Sequence, residues 1–326
     1  MRILVLGGSG FVGRSIAELA VARGDDVTVF NRGNNHPVDG VRVLTGDRLD
    51  PHGLAALDGG TWDAIIDTWS ADPAAVGAAA RALTGRAGHY TYISSRSVYV
   101  LDEHATAPFA ARAEDAPLVD TTEPGYAGDK LRGEHAAQAF AGPLLLARAG
   151  LILGPHENIG RLPWWLHRLH RGGPPLAPGP PDLPLQYIDT RDLAAFVLDS
   201  AATARTGPYD LVSPSGHTTM GELLTVANQV TGGHADLRWR DPGTILAAGV
   251  QPWTHLPIWL PPGPLHAALH QGDVTRALAA GLHCRPVADT VTDTWTWLAA
   301  LPGGAPQRTD RPTVGLDPQV EATLLL

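Results

Sequence analysis

Tyr126 and Lys130 stand four residues apart, the spacing that sets two side chains on one face of a helix. A phenol holds its proton to about pH 10, and an ammonium beside it favours the phenolate. Together the two groups make a proton donor and acceptor suited to neutral solution. The lysine stands out for a second reason: of 24 basic residues it is the only one that is not arginine. Arginine's broad fork suits clamping an oxyanion, whereas a compact ammonium reaches a single hydroxyl. One position in this chain therefore required an ammonium. With six tyrosines and one lysine, a chance Tyr-x-x-x-Lys match is on the order of 2%.

Such a pair needs a hydroxyl to orient the oxygen it protonates. Ser95, in the run Ile93-Ser94-Ser95-Arg96-Ser97-Val98-Tyr99, is the candidate, with Ser94 as the alternative. A single serine at a strand end is more often a backbone cap than a catalyst. Its place at the C-terminal edge of a predicted parallel strand favours the catalytic role, because ligands of such sheets bind there and a hydroxyl can polarise a carbonyl oxygen.

The string Gly7-Gly8-Ser9-Gly10-Phe11-Val12-Gly13 joins a predicted strand to a predicted helix. Gly7, Gly10 and Gly13 allow a sharp turn, close approach to a pyrophosphate and tight helix packing on the sheet. Phe11 and Val12 open the positive end of that helix's dipole. Alone the string is weak evidence; between a strand and an amphipathic helix it marks a dinucleotide site. The next strand ends in Asn31-Arg32, where an acidic residue would bond ribose hydroxyls. A neutral Asn31 followed by Arg32 suits a 2′-phosphate, which tilts the expected cofactor to NADP over NAD. Arg14 is either a further positive charge for it or an exposed helix residue. Asp47 is set to meet the adenine amino group, a position that a turn-forming Asp would equally fill. With a nicotinamide in place, Tyr126 would hand a proton to the oxygen whose carbon takes the hydride, Lys130 would hold the ribose, and Ser95 would orient the oxygen.

These residues need a regular frame. Short, continuous apolar runs predict strands at 2–6, 26–30, 41–44, 63–66, 89–94 and 144–148, and Ala-rich stretches predict helices at 12–23, 74–83 and 128–140. Strands of that kind joined by helix-length links describe an α/β fold, a doubly wound parallel sheet covered on both faces. The dinucleotide-binding domain is expected at 1–155, with part of 185–215 returning to it. A smaller C-terminal substrate lobe is expected at 156–300 and a Pro/Gly-rich surface tail at 301–326. Within the lobe, six prolines in 172–184 predict a stiff loop, and helices are predicted at 192–202, 220–230 and 288–298. Seven of the nine tryptophans lie beyond residue 160, first as core packing and second as walls of an apolar pocket. His167 and His170 have no carboxylate at ligand spacing, so they read as structural and no metal is expected.

At 326 residues, 44% hydrophobic and 17% charged, the chain has ample apolar surface for a large core and is not disordered. No apolar run approaches the ~18 residues that span a bilayer, so no membrane partner is expected. A net charge of −9 without a basic tract argues against nucleic acid. The single Cys284 excludes an intramolecular disulfide and a multi-thiolate zinc site. With no secretory leader in the opening residues, a cytoplasmic setting is expected.

Taken together, the motifs resemble the extended short-chain dehydrogenase/reductase family of NAD(P)-dependent epimerases, dehydratases and ketoreductases. The resemblance covers about residues 1–300. It rests on the glycine loop, Asp47, Ser94-Ser95-x-x-Val98-Tyr99 and Tyr126/Lys130, then on Arg148-x-Gly150, Gly154-Pro155, Ile188, Asp192-Leu193-Ala194 and Asp273-x-x-Arg276-Ala277 with Pro286. It implies a Rossmann domain of six or seven strands, frequent homodimers, and Ser95, Tyr126 and Lys130 as the catalytic trio.

The departures narrow the chemistry. Sugar-nucleotide dehydratases carry an Asp-Glu pair directly after the catalytic hydroxyl residue; Arg96 and Ser97 stand there in this chain, so the acid and base for water elimination are missing. Leu185 aligns with an arginine that many nucleotide-sugar enzymes use to hold a diphosphate, a task left to Arg161, Arg168 or Arg171 if it is done at all. Ala149 and Val100 are packing changes. The long interval from Ser95 to Tyr126 leaves an insertion at 101–123, expected as a lid.

The expected function is that of an NAD(P)-dependent oxidoreductase, a ketoreductase or dehydrogenase, moving hydride between nicotinamide and a carbonyl or secondary alcohol of a small, partly apolar molecule. One alternative is a sugar or sugar-nucleotide epimerase that uses the same trio for transient oxidation. Another, of a different class, is a non-catalytic dinucleotide-sensing or RNA-associated binding protein on the same fold.

Overall fold

The computed structural model describes residues 1–101, 116–305 and 307–326. Its strands are β1 (Arg2–Leu6), β2 (Asp26–Asn31), β3 (Arg42–Thr45), β4 (Ala64–Asp67), β5 (Tyr90–Ser95), β6 (Leu144–Ala149), β7 (Leu151–Leu153), β8 (Leu176–Pro178), β9 (Pro184–Leu185), β10 (Tyr187–Asp189), β11 (Gly207–Leu211), β12 (Thr218–Thr219) and β13 (Arg238–Arg240). Seven of them form one parallel sheet in the order β11-β6-β5-β4-β1-β2-β3. Its central members are buried on both faces, which explains their unbroken apolar runs. The winding reverses between β1 and β4, whose last residues Leu6 and Asp67 pair. A crevice opens beyond the carboxyl ends of strands at such a point.

The helices are α1 (Phe11–Ala22), α2 (Pro73–Leu83), α3 (Tyr126–Ala137), α4 (Arg161–His170), α5 (Thr190–Ala202), α6 (Met220–Val230), α7 (Pro242–Ala247), α8 (Pro264–His270), α9 (Thr275–Ala279), α10 (Val287–Ala299) and α11 (Pro318–Leu325). α1 and α5 pack together on one face of the sheet and α2 and α3 on the other. A third core joins α4, α6 and α10. Trp165 and Trp259 are fully buried in it, and Trp164, Trp239, Trp253, Trp295 and Trp297 pack against it. Among the described residues no helix is long and apolar enough to cross a membrane.

Two expectations need correction. The Pro-rich stretch 172–184 is not all loop, because β8 pairs with β13. The proline rule is respected, since Arg238 N donates to Pro175 O and Gly179 N to Arg240 O; the prolines only accept. The stretch after α10, expected on the surface, folds back onto the molecule: Leu316 is buried in the third core, and the Glu321 carboxylate of α11 meets Arg168 at 2.7 Å in a buried ion pair. One apolar and one acidic anchor in a Pro/Gly-rich stretch do not register as periodicity. The lid expected at 101–123 falls largely on 102–115, outside the described residues.

Candidate functional site

The turn after β1 shows what each glycine is for. Gly7 has a φ of +97°, and a Cβ on Gly13 would meet Gly7 O at 2.3 Å, so these two shape the turn itself. Gly10 differs. Its φ is −89°, and a Cβ there would meet only Gly7 O, at 3.8 Å. Among the described residues nothing else lies within 4 Å of that Cβ. α1 has no acidic residue in its first turn and no side-chain cap, so its first amides face that space unpaired, an arrangement suited to an anion. At the end of β2, Asn31 Oδ1 accepts from Gly33 N at 2.7 Å, while Nδ2 is buried without a partner among the described residues. An orphaned buried donor calls for an acceptor. Exposed Arg32 follows it. These features fit an adenine dinucleotide. Asp47 Oδ1 accepts from Leu49 N at 3.0 Å, as a turn-forming Asp does, and Arg14 pairs with Glu18 at 2.8 Å along the helix.

One cavity of about 480 Å³ lies at the crevice, lined by Gly10, Phe11, Val12 and Gly13 from the turn and by Ser95, Tyr126 and Lys130. Asn31, Arg32 and Asp47 lie outside its walls. Tyr126 is the first residue of α3, with 36% of its surface exposed. Lys130, one turn on, is only 3% exposed. Its Nζ donates to Ile93 O at 2.6 Å and to Trp69 O at 2.8 Å, and it sits 4.8 Å from the centre of the Tyr92 ring. Burial pulls its pKa down to about 7; Asp67 and Glu134 oppose that fall, and Arg308 and Arg311 add to it.

α3 is held in place by Glu134, one further turn along. The Glu134 carboxylate takes a two-pronged bond from Arg148, at 2.9 and 2.7 Å, and accepts the Ser94 hydroxyl at 2.6 Å. Arg148 also donates to the Tyr99 hydroxyl at 3.0 Å, which in turn donates to Asp210 at 2.8 Å. Ser94 is thus committed to this buried network. The Ser95 hydroxyl accepts from Ser97 N and donates to Ser97 Oγ, each at 3.1 Å, from the cavity wall. Arg96 donates to Leu269 O at 3.1 Å and pairs with Asp210 at 3.4 Å, tying α8 to the sheet.

The cavity is also lined by Arg161, Trp253, His270, Arg308 and Arg311. Of the three arginines considered for an anionic substrate, Arg161 alone faces the cavity. Arg168 is taken by Glu321 and Arg171 is exposed. Glu157 accepts Arg161 N at 2.7 Å and Leu162 N at 3.2 Å, capping α4. Burial raises the Glu157 pKa to about 7. His270 Nδ1 accepts from Gln186 N at 3.0 Å, its Nε2 is buried without a partner among the described residues, and burial lowers its pKa to about 3. Arg308 and Arg311 escaped sequence reasoning; their only signal is a charged triplet, with Asp310, inside the Pro/Gly-rich stretch. His167 and His170 stack with Trp295, away from the cavity.

Residues 3–211 match the NAD dependent epimerase/dehydratase family. A 2-alkyl-3-oxoalkanoate reductase of Stenotrophomonas maltophilia (strain K279a) is 29% identical over 218 residues, a match that spans 60% of this chain and 64% of the reductase. Among solved structures, the Bordetella bronchiseptica enzyme WbmH in complex with NAD+ superposes with a TM-score of 0.69 at 18% identity, over 92% of this chain and 98% of WbmH. UDP-N-acetylglucosamine 4-epimerase from Bacillus cereus does so with a TM-score of 0.65 at 15% identity, over 90% of this chain and 98% of the epimerase. At those identities the structural likeness speaks for the fold. The family match, which takes in the glycine turn, the β5 serines and the Tyr/Lys helix, says more: the chain belongs to the NAD-dependent epimerase/dehydratase family, within the extended short-chain dehydrogenases/reductases.

Proposed function

We propose that this enzyme is an NADP-preferring reductase that protonates the carbonyl oxygen of a small molecule with Tyr126. The observation that carries the reading is the burial of the chain's one ammonium, Lys130, one helical turn from Tyr126 on the wall shared with Ser95 and the glycine turn. A bound nicotinamide dinucleotide supplies the hydride. Tyr126 gives up its proton to the substrate oxygen, and Ser95, braced by Ser97, orients that oxygen. Two of the three Lys130 protons are engaged by backbone carbonyls, which leaves one for a ribose hydroxyl. Glu134 and Arg148 keep α3 fixed against β5 and β6, so the donor does not drift. Arg32 takes the 2′-phosphate and Asn31 Nδ2 an adjacent ribose oxygen. The relative named 2-alkyl-3-oxoalkanoate reductase favours a carbonyl substrate over a sugar nucleotide. A pure sensing role leaves the desolvated lysine without a purpose, and strongly shifted titrating groups in clefts gather where chemistry is done.

The test is a carbonyl panel with NADPH. A reductase consumes NADPH in proportion to product, whereas an epimerase interconverts its substrates with no net consumption. Tyr126→Phe is expected to lower turnover about 10²-fold or more while NADPH affinity stays within about threefold. Full turnover in that variant overturns the assignment.

A further inference from the structure

Two cations in the cleft have no part in the proton transfer. The guanidinium of Arg161 lies 5.2 Å from the centre of the Trp253 ring, and its Nε is buried without a hydrogen-bond partner. That of Arg311 lies 4.8 Å from the centre of the Tyr126 ring. Among the described residues neither guanidinium is in an ion pair or a hydrogen bond. Their neighbour Arg308 is different, being paired with Asp310 at 2.9 and 2.6 Å. Glu157 and Asp310 lend Arg161 and Arg311 only through-space attraction, since the Glu157 carboxylate is spent on the Arg161 and Leu162 amides and that of Asp310 on Arg308. A partly buried guanidinium without a direct hydrogen-bonded acceptor is costly.

Both positions are built. Glu157 fixes the start of α4 beneath Arg161, and Trp253 is held at a φ of +66°, a conformation a tryptophan rarely adopts. Arg311 rides on a strap tied on both sides: Arg308 N donates to Asn158 O at 2.9 Å, Gly315 N to Thr254 O at 2.8 Å, and Leu316 and Glu321 are buried beyond.

We propose that Arg161 and Arg311 form a clamp for a substrate carboxylate, which makes the substrate class oxo acids with a short to medium alkyl chain. This deepens the reductase reading and rests on it. Spacing selects the carboxylate. Arg311 stacks on the very ring whose hydroxyl does the chemistry, so the anion sits a few bonds from the reacting carbonyl. In a nucleotide sugar, the sugar ring lies between the diphosphate and the reacting carbon. Leu185 also leaves the expected diphosphate position uncharged. Ile152, Ile159 and Leu269 in the same cavity suit an alkyl chain. Burial lowers the Arg161 pKa, Glu157 and Tyr126 oppose that fall, and the charge of Arg311 adds to it.

The test is calorimetric binding of octanoate, octan-1-ol and UDP to the NADPH-loaded full chain, with Arg161→Gln, Arg311→Gln and Arg311→Lys beside the unaltered protein. Octanoate is expected to bind at least about tenfold more tightly than octan-1-ol. Each Gln variant is expected to lose that advantage and Arg311→Lys to keep part of it, with melting temperature and octan-1-ol binding unchanged. Octanoate binding no better than octan-1-ol, or unaffected in both Gln variants, overturns the clamp. So does arginine-dependent binding of UDP with none of octanoate. Because nothing is turned over, the clamp stands or falls apart from the reductase reading, which the Tyr126→Phe assay decides.

Discussion

Replacing Lys130 by Met removes an ammonium that the fold accommodates at a cost. The folded protein releases that proton near pH 7, whereas an unfolded chain holds it to about pH 10.4. Between those values the unfolded state binds more protons, so stability rises with pH. Integrated from pH 7 to pH 9, this gives about 2 kcal/mol, and the full span would give roughly 5 kcal/mol. The window stops at pH 9 because burial holds the Cys284 thiol up at about 12, and an unfolded thiol ionises near 8.5. That effect is common to both proteins and cancels in the comparison. Guanidinium unfolding of the two proteins at pH 7 and pH 9 measures it. The unaltered protein should gain about 2 kcal/mol relative to Lys130→Met over this interval, while the variant binds NADPH weakly and shows little turnover. Parallel pH dependences, within about 0.5 kcal/mol, would refute the claim that the ammonium is desolvated.

Two further substitutions separate cofactor recognition from folding. Gly10→Ala meets no obstacle in the protein, so the melting temperature should hold within about 2 °C while NADPH affinity falls at least about tenfold; unchanged affinity would mean that the space before Gly10 is not the dinucleotide's. Arg32→Ala should raise the KM for NADPH about ten- to a hundredfold and leave that for NADH nearly constant, and equal effects on both would remove Arg32 from the 2′-phosphate.

The sheet and the helix that carries Tyr126 and Lys130 were legible because each obeys a short-range rule. Apolar runs with helical links announce a buried parallel sheet, and four-residue spacing announces a shared helix face whatever surrounds it. The choice between Ser94 and Ser95 depends instead on which face of β5 looks toward α3. Both serines line the cavity, but alternation sends one hydroxyl to Glu134 and leaves its neighbour bonded, among the described residues, only to Ser97. No local signal reveals which. Arg308 and Arg311 were illegible for a plainer reason: they reach the cleft only because Leu316 and Glu321 dock some distance along the chain, and a contact of that range leaves no period to read. The prolines of β8 misled in the opposite sense, since they signal loop while the strand's donors come from Arg238 and Gly179.

The strap that carries Arg311 gives this architecture two separately adjustable parts. The proposed proton donor and its lysine belong to α3, which Glu134, Arg148 and Ser94 fix against the sheet. The residue stacked above Tyr126 belongs to a segment whose footing is Leu316 and one acid on α11, so the proposed clamp depends on a docking contact that the proposed proton donor does not share. A fusion partner attached after Leu326 pulls directly on that footing, and altered substrate preference in such a fusion reports on the strap before it reports on catalysis.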